Sequence, residues 1–523
     1  MRKEKEKMRR RFFVGIIFFS FLILLTGCSS GGGDTAFGLF GGDTSVAAGN
    51  ATISGEVSGT VIVAINESNA EVARVTAAGT PKTFTFTVPT GHTYRIFLIE
   101  NEDTLDQKIF ALYNNATGTN CFAISSSVTI INFGYIDTTN GVKAIPTYDP
   151  LLVSGVSSIG ENKSIPEIVL SGPPPTGTLS DLVGNGLALL KQGSVFKAKA
   201  YFKAAVTNYP DDNTNNGDTA RFFYAVTRLA GVNPYSDGNS TGTLNSIGDI
   251  LDRMGINNSD RNSYNYIISE SKITSPIPQP LPDNYPTGNE MQIFLYNVIR
   301  PELEGALANL NGVQNEFEKQ WANPIDSKYY KSDYADVLLL KAAIKGALAG
   351  IYIQYTYNLD VDIDLEFNKY KTNTVQSFLG DNGNFLKLLT GDYSTLQSTA
   401  KTYLSEAADH LTAAINKIQT RNTADYLVNL KEMTSDEFND TKTKLAAAKS
   451  SLSGTSIIGD YNGTDVAINL LPFFGGLDLR NLLPPVTGNT AGFFPNATMG
   501  GIIIQGLNPN EDLNSNGIPD ILE

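Results

Sequence analysis

Thr83-Phe84-Thr85-Phe86-Thr87-Val88 alternates polar and apolar side chains without a break. Neighbouring side chains of an extended chain point to opposite faces. The run therefore puts Phe84, Phe86 and Val88 on one side and three threonines on the other, the pattern of a half-buried strand. Pro89-Thr90-Gly91 follows as a turn, and Tyr94-Arg95-Ile96-Phe97-Leu98 resumes the extended pattern. Upstream, 51–57 and 61–65 are short β-branched runs. Downstream, 108–113, 121–124 and 127–133 continue the series. Short strands divided by turn signals predict a small all-β sandwich over residues 51–145.

Residues 146–178 carry Pro146, Pro150, Pro166 and Pro173-Pro174-Pro175 with no sustained period, and read as a proline-rich connector. Beyond it the period becomes helical, which predicts a mostly α-helical domain over 179–455. Gly186, Leu189, Gly193, Ala198, Phe202, Ala205 and Pro210 follow one another at the spacing of a helical hairpin, placed at 182–212. Small residues let two helices approach, Gly193 turns the chain, Phe202 fills the groove and Pro210 stops the second helix. This spacing resembles a tetratricopeptide repeat, a family whose stacked hairpins hold peptides. Ala220 to Ala225 resumes as a further helix. Thr287-Gly288-Asn289-Glu290 reads as a capping box, and Thr434-Ser435-Asp436-Glu437 as another. The apolar segment 337–353 predicts a buried core helix, with Lys341 and Lys345 as a charged face and Gly346 and Gly350 allowing a close crossing. An amphipathic helix follows at 396–418, and 456–523 reads as an irregular C-terminal region.

The N-terminal side carries an address. Seven basic residues within 2–11 precede the apolar run 12–25, the form of a signal peptide over 1–27. Leu25-Thr26-Gly27-Cys28 then resembles the lipobox of bacterial lipoproteins, which implies that Cys28 becomes a lipidated N-terminus. Several acyl chains would anchor the protein stably to a membrane. Ser29 in place of aspartate implies, by the same resemblance, the outer membrane of a Gram-negative cell. Residues 28–50 form a Gly/Ser-rich tether with a reach of roughly 25 Å. The Ile53-x-Gly55-x-Val57 opening and the run from Phe84 to Tyr94 resemble transthyretin-like, carboxypeptidase-regulatory-like domains, which implies a spacer or adhesion module.

Residues 512–523 place Asp512, Asn514, Asn516, Asp520 and Glu523 at positions 1, 3, 5, 9 and 12 of a loop, with Gly517 at position 6. Calcium takes six to eight oxygen ligands from a tightly curled chain, and the Ile518 carbonyl is placed to supply one more. The pattern resembles calcium loops of the thrombospondin type 3 and EF-hand kinds, which implies a weakly bound Ca²⁺. The alternative is an Asx-rich turn without metal.

Catalytic signals are poor. The two histidines, His92 and His410, read as surface or satisfied residues, and Cys121 as a small buried core residue. Ser194-Val195-Phe196-Lys197 matches S-x-x-K but falls inside the hairpin. The acid-apolar alternation of 359–367 reads as an edge strand with a solvated acidic face. Residues 1–27 hold seven of the 39 Lys+Arg and two of the 53 Asp+Glu, which leaves a mature charge of −19. That argues against a nucleic-acid partner. The expectation is a membrane-anchored, non-catalytic adaptor of the cell envelope whose helical domain binds a protein. A calcium-stabilised adhesion module is the alternative, and a carboxylate-based hydrolase comes third.

Overall fold

The structure is a computed structural model. It describes residues 49–508 except 60, 116–117, 140, 160–164, 237, 239–242, 257–262, 264–280, 363–374, 390, 392, 422–424, 429, 431–432, 462–463, 484–497 and 507. A β-rich domain is followed by a helical region, as expected. The chain divides into two compact units. The first runs through Tyr285 and takes in Trp321–Tyr329, and the second comprises Pro286–Gln320 and the chain from Tyr330 onward.

The first unit opens with ten strands: β1 (Asn50–Val57), β2 (Val61–Asn66), β3 (Glu71–Thr76), β4 (Thr83–Pro89), β5 (His92–Glu100), β6 (Lys108–Leu112), β7 (Phe122–Ile124), β8 (Ile130–Asp137), β9 (Lys143–Pro146) and β10 (Val156–Ser158). Their pairing runs β10-β7-β5-β6-β9-β8-β1-β4, with β2 joined to β5 and β3 to β2. β1 lies in the interior, antiparallel to β4 and parallel to β8. The alternation of β4 is realised as read: Phe84, Phe86 and Val88 are buried and Thr83, Thr85 and Thr87 exposed. They close one core with Ile53, Ile96, Leu98, Phe110, Phe133 and Ile136. Gly55 pairs with Phe84, and a Cβ on Gly55 would lie 2.9 Å from the Phe84 ring. The motif needs glycine there because the ring fills the space a side chain would take. The buried Tyr94 hydroxyl donates to the Pro89 carbonyl at 2.6 Å and pins the β4–β5 turn.

The proposed connector behaves otherwise. β10 pairs with β7. The short helix α1 (Glu167–Ser171) offers the Ile168 and Val169 carbonyls to Arg74 of β3, each at 3.4 Å. Residues 156–158 and 168–169 are thus bonded within the first unit, and the two compact units divide at Tyr285/Pro286. Proline-rich sequence excludes long regular elements, but it does not prevent a chain from packing along its neighbours.

Three helices follow, α2 (Leu179–Gln192), α3 (Val195–Asn208) and α4 (Asn215–Ala230), and then the short α5 (Ile247–Arg253). The second unit holds α6 (Gly288–Phe294), a π-turn (Leu295–Ile299), α7 (Arg300–Asn311), α8 (Tyr334–Gln354), α9 (Val375–Asp381), α10 (Tyr393–Ile418) and α11 (Ser435–Leu452). Both predicted capping boxes are present, at Thr287/Glu290 and Thr434/Glu437. The unit boundaries at 320/321 and 329/330 fall within β11 (Glu318–Ala322) and β12 (Tyr329–Asp333). Part of the region expected to be irregular forms a small antiparallel sheet of β13 (Ile457–Tyr461), β14 (Thr464–Ile468) and β15 (Ile503–Gln505). No helix of the described residues is long and apolar enough to cross a membrane.

Candidate functional site

The helical hairpin of the first unit is assembled from the residues its spacing singled out. Thr178 and Asp181 cap α2 reciprocally. Gly193 ends it at φ 88°, a left-handed conformation that glycine adopts without a Cβ penalty. Ala198, Phe202 and Ala205 on α3 are fully buried. A Cβ on Gly186 would lie 2.8 Å from the Phe202 ring, so the ring occupies the notch left by the glycine. On its other side Phe202 stacks on Phe223 of α4, with centroids 5.6 Å apart. Trp321 meets Phe223 edge-on at 5.3 Å.

The start of α3 is held by the β5–β6 loop. Ser194 Oγ donates to Asp103 Oδ1 at 2.9 Å, and Lys197 Nζ to Asp103 Oδ2 at 3.0 Å. Glu102 bridges Lys197 and Arg74 at 3.3 and 2.6 Å. An acid placed at a helix N-terminus is favoured by the macrodipole and by unpaired N–H groups. The S-x-x-K match is therefore a hydrogen bond and an ion pair to one carboxylate: Ser194 and Lys197 are both engaged by Asp103. The face of α2 turned away from the notch, with Ser180, Gly184, Asn185 and Ala188, is exposed.

The second unit holds a different constellation, which the sequence did not announce. Pro301 has no N–H to give to the turn before it, and the helix widens there into a π-turn in which Arg300 N–H bonds the Leu295 carbonyl. The Tyr296 carbonyl instead accepts from Arg300 Nε at 2.9 Å. That bond lays the guanidinium on the Tyr296 ring, 4.0 Å from its centroid, while Tyr355 stacks on Tyr296 at 3.8 Å and 9°. Tyr352 stands edge-on to Tyr296 and donates to Glu304 Oε1 at 2.7 Å. Burial and that bond push the Tyr352 phenol up to about 12. Burial works against the Arg300 charge, but Tyr352 and Glu304 hold the guanidinium above its ordinary value. Tyr352 and Arg300 keep their protons at neutral pH, so the cluster can bind and orient through them.

Helices α8 and α10 run antiparallel, and their seam is polar along its length. Gln397 Nε2 donates to Tyr357 Oη at 3.3 Å at one end. Lys345 pairs with Glu406 in the middle and lies over Tyr403. At the other end Arg421 bonds Asp333 at 2.5 Å and Asp336 at 2.9 Å, and stacks on Tyr426. Lys341 and Lys345, read as the charged face of a buried core helix, are themselves buried at 5% and 8% exposure. Their ammonium groups find a carboxylate or an aromatic ring inside the seam, and their methylene stems fill it. Burial and the neighbouring Lys345 hold Lys341 below the usual ammonium range. His410 is half-buried, and burial together with Lys341 and Lys345 keeps it below its usual value. Burial raises Asp336 to about 6, and Asp333 adds to the rise against the pull of Arg421. The expected close crossing is not made at Gly346, where a Cβ would meet nothing within 4 Å. Beside Arg421 lies a cavity of about 190 Å³ walled by Ile418, Leu430, Met433 and Phe438, with Gln419 and Ser435 at its edge.

Cys28 lies outside the described residues, as do Asp512, Asn514, Asn516, Ile518, Asp520 and Glu523. Most of 359–367 also lies outside them. Cys121 is buried, with its thiol facing Asn120 Oδ1. His92 is exposed and pairs with Glu67 at 2.8 Å. Among the described residues no three His, Cys, Asp or Glu side chains are grouped to hold a metal. No family model, curated protein or solved structure matches the chain.

The tyrosine–arginine cluster joins the π-turn and α7 to the end of α8, with residues running from Tyr296 to Tyr355, so no local spacing revealed it. Pro301 in the middle of a helical pattern was its one sequence signal.

Proposed function

We propose that the protein is a lipid-anchored lipoprotein of the bacterial cell envelope, held at the outer membrane through Cys28, and that it works there as a non-catalytic adaptor. Its helical part would hold a protein partner, and the C-terminal loop would bind Ca²⁺ weakly and order the tail. The observation that carries the adaptor reading is the α2–α3 hairpin. In it two helices pack closely with Phe202 in the Gly186 notch, and Phe223 of α4 stacks on that ring. Tetratricopeptide-type helices use such packing to present an outer face to peptides. The anchoring reading rests on the order of basic head, apolar run and Leu25-Thr26-Gly27-Cys28. The acidic mature chain speaks against nucleic acid as a partner.

Two experiments test this. Fatty-acid labelling and mass spectrometry of the mature N-terminus should find acyl chains on Cys28, and Cys28→Ala should abolish both the label and firm membrane association. A mature N-terminus at another residue ends the anchoring claim. For the adaptor, the full mature chain should retain a defined envelope protein after crosslinking. Asn185→Arg with Ala188→Arg, both on the exposed face of α2, should release it while leaving the unfolding transition in place. Equal recovery by parent and variant would remove this face as the partner surface.

A further inference from the structure

Along β8 and the chain beside it the first unit exposes a strip of large side chains: Ile130 at 64%, Tyr135 at 44%, Tyr148 at 59% and Leu152 at 85%. The strip is continuous in the backbone. Thr147 N–H donates to the Tyr135 carbonyl at 2.8 Å, and Tyr148 N–H to the Phe133 carbonyl at 3.0 Å. The chain 145–152 thus runs antiparallel along β8. The Tyr148 ring lies over Gly134, where a Cβ would come within 2.8 Å of it. The 3-10 turn Pro150–Leu152 then brings Leu152 back toward the start of β8. Two acids lie in the strip and each is turned to the backbone. Asp149 accepts from Leu151 N–H at 2.9 Å, and Asp137, at the far end of β8, from Thr139 N–H at 2.8 Å. Glu56 of β1 flanks Tyr135. The strip's most exposed side chains, Ile130, Tyr135, Tyr148 and Leu152, are apolar or phenolic.

The strip starts where the chain enters the fold. β1 begins at Asn50, and Thr52 is the register partner of Ile130 in the parallel β1–β8 ladder. Thr52 N–H also bonds the Thr129 carbonyl at 2.8 Å. Adjacent strands lie roughly 4.8 Å apart. Whatever the N-terminal segment is fastened to is therefore brought to the Ile130 end of the strip. Twenty-one residues separate Cys28 from Asn50.

We propose that this strip rests on the lipid bilayer to which the chain is tethered, with Ile130 and Leu152 in the acyl boundary and Tyr135 and Tyr148 at headgroup level. The inference rests on the lipid-anchor reading above. Tyrosine prefers the interface because its ring is apolar and its hydroxyl wet, and exposed aliphatic side chains gain by leaving water. No lysine or arginine lies on the strip, so the surface it suits is zwitterionic. A free protein would bind such a surface weakly. A tether of this length raises the effective concentration into the millimolar range, where a weak contact is filled.

The test uses the full lipidated protein in phosphatidylcholine vesicles. Trp321 is the only tryptophan, so an added indole is read by difference from the parent. Leu152→Trp, at a position already exposed, and the control Lys203→Trp on α3 are each placed in vesicles with and without brominated phosphatidylcholine. Flotation with the vesicles reports anchoring independently. The expected result is flotation of both variants and at least threefold stronger bromine quenching of the indole added at position 152. Flotation with equal or no quenching at the two positions overturns the docking and leaves the anchor standing. Emission from the 152 variant that shifts with protein concentration, without bromine quenching, assigns the strip to a second copy of the chain and also overturns it. Failure to float removes the anchor, and the docking falls with it.

Discussion

Phe202→Ala tests the packing on which the first unit's helices depend. The ring is fully buried, sits in the notch of Gly186 and stacks on Phe223. Deleting it leaves a void that glycine cannot fill and whose other wall is a second aromatic ring. Phenylalanine-to-alanine changes in such sites cost about 3–5 kcal/mol, the upper part of the range applying where neighbours cannot collapse. Trp321 lies edge-on to Phe223. As the only tryptophan it reports on this core in the intact mature chain, without interference from the second unit. With a urea slope of about 2–3 kcal/mol/M, the Trp321 transition should move down by roughly 1.5 M. Gly186→Ala alone should also destabilise, because its methyl collides with the ring. In the Phe202→Ala background the same methyl meets empty space, so the double variant should be clearly less impaired than the two single effects combined. A midpoint shift below about 0.5 M for Phe202→Ala, or strict additivity of the pair, would refute the packing described.

Three further outcomes are expected. Asp103→Ala removes the Ser194 hydrogen bond and the Lys197 ion pair, and should lower the same Trp321 transition by about 1–2 kcal/mol, with Asp103→Asn milder; no change would mean the loop does not hold α3. Asp336 titrates near 6 in the folded chain against 3.8 for the free group, so the folded state binds more protons between those values. Its contribution to stability accordingly falls as pH rises through about 4–6, by up to ~3 kcal/mol; Asp336→Asn should flatten that slope relative to parent in the second unit's denaturation profile, and an unchanged slope would contradict it. Isothermal titration of the mature protein should show Ca²⁺ binding at an affinity on the order of 10⁻⁴ to 10⁻³ M that Asp512→Ala abolishes; identical flat traces for both would reduce 512–523 to a turn.

The strands that alternate and the helices that carry caps were legible because their signals are local. Phe84 to Val88 shows its buried face within six residues, and Thr287/Glu290 shows a helix start within four. β3 escaped because Glu71 and Arg74 interrupt its pattern. In the fold Arg74 is consumed by Glu71, Glu102 and two carbonyls of α1, partners that only the folded chain supplies. The burial of the α8 lysines escaped for a related reason. Charge at i and i+4 on a helix ordinarily marks the solvent side, and only α10, with Glu406 and Tyr403 some sixty residues on, makes burial tolerable. The pairing of β10 with β7 was not legible because proline content describes what a segment cannot form, not what it lies against.

The place of β1 has a mechanical meaning for an anchored protein. A pull arriving through the segment before Asn50 is delivered to a strand with a ladder on each side, seven register pairs to β4 and five to β8. Tension along that strand loads both ladders in shear, so their hydrogen bonds resist together. An edge strand pulled sideways would release them one after another. The order of strands makes the N-terminal end of the domain its firmest handhold.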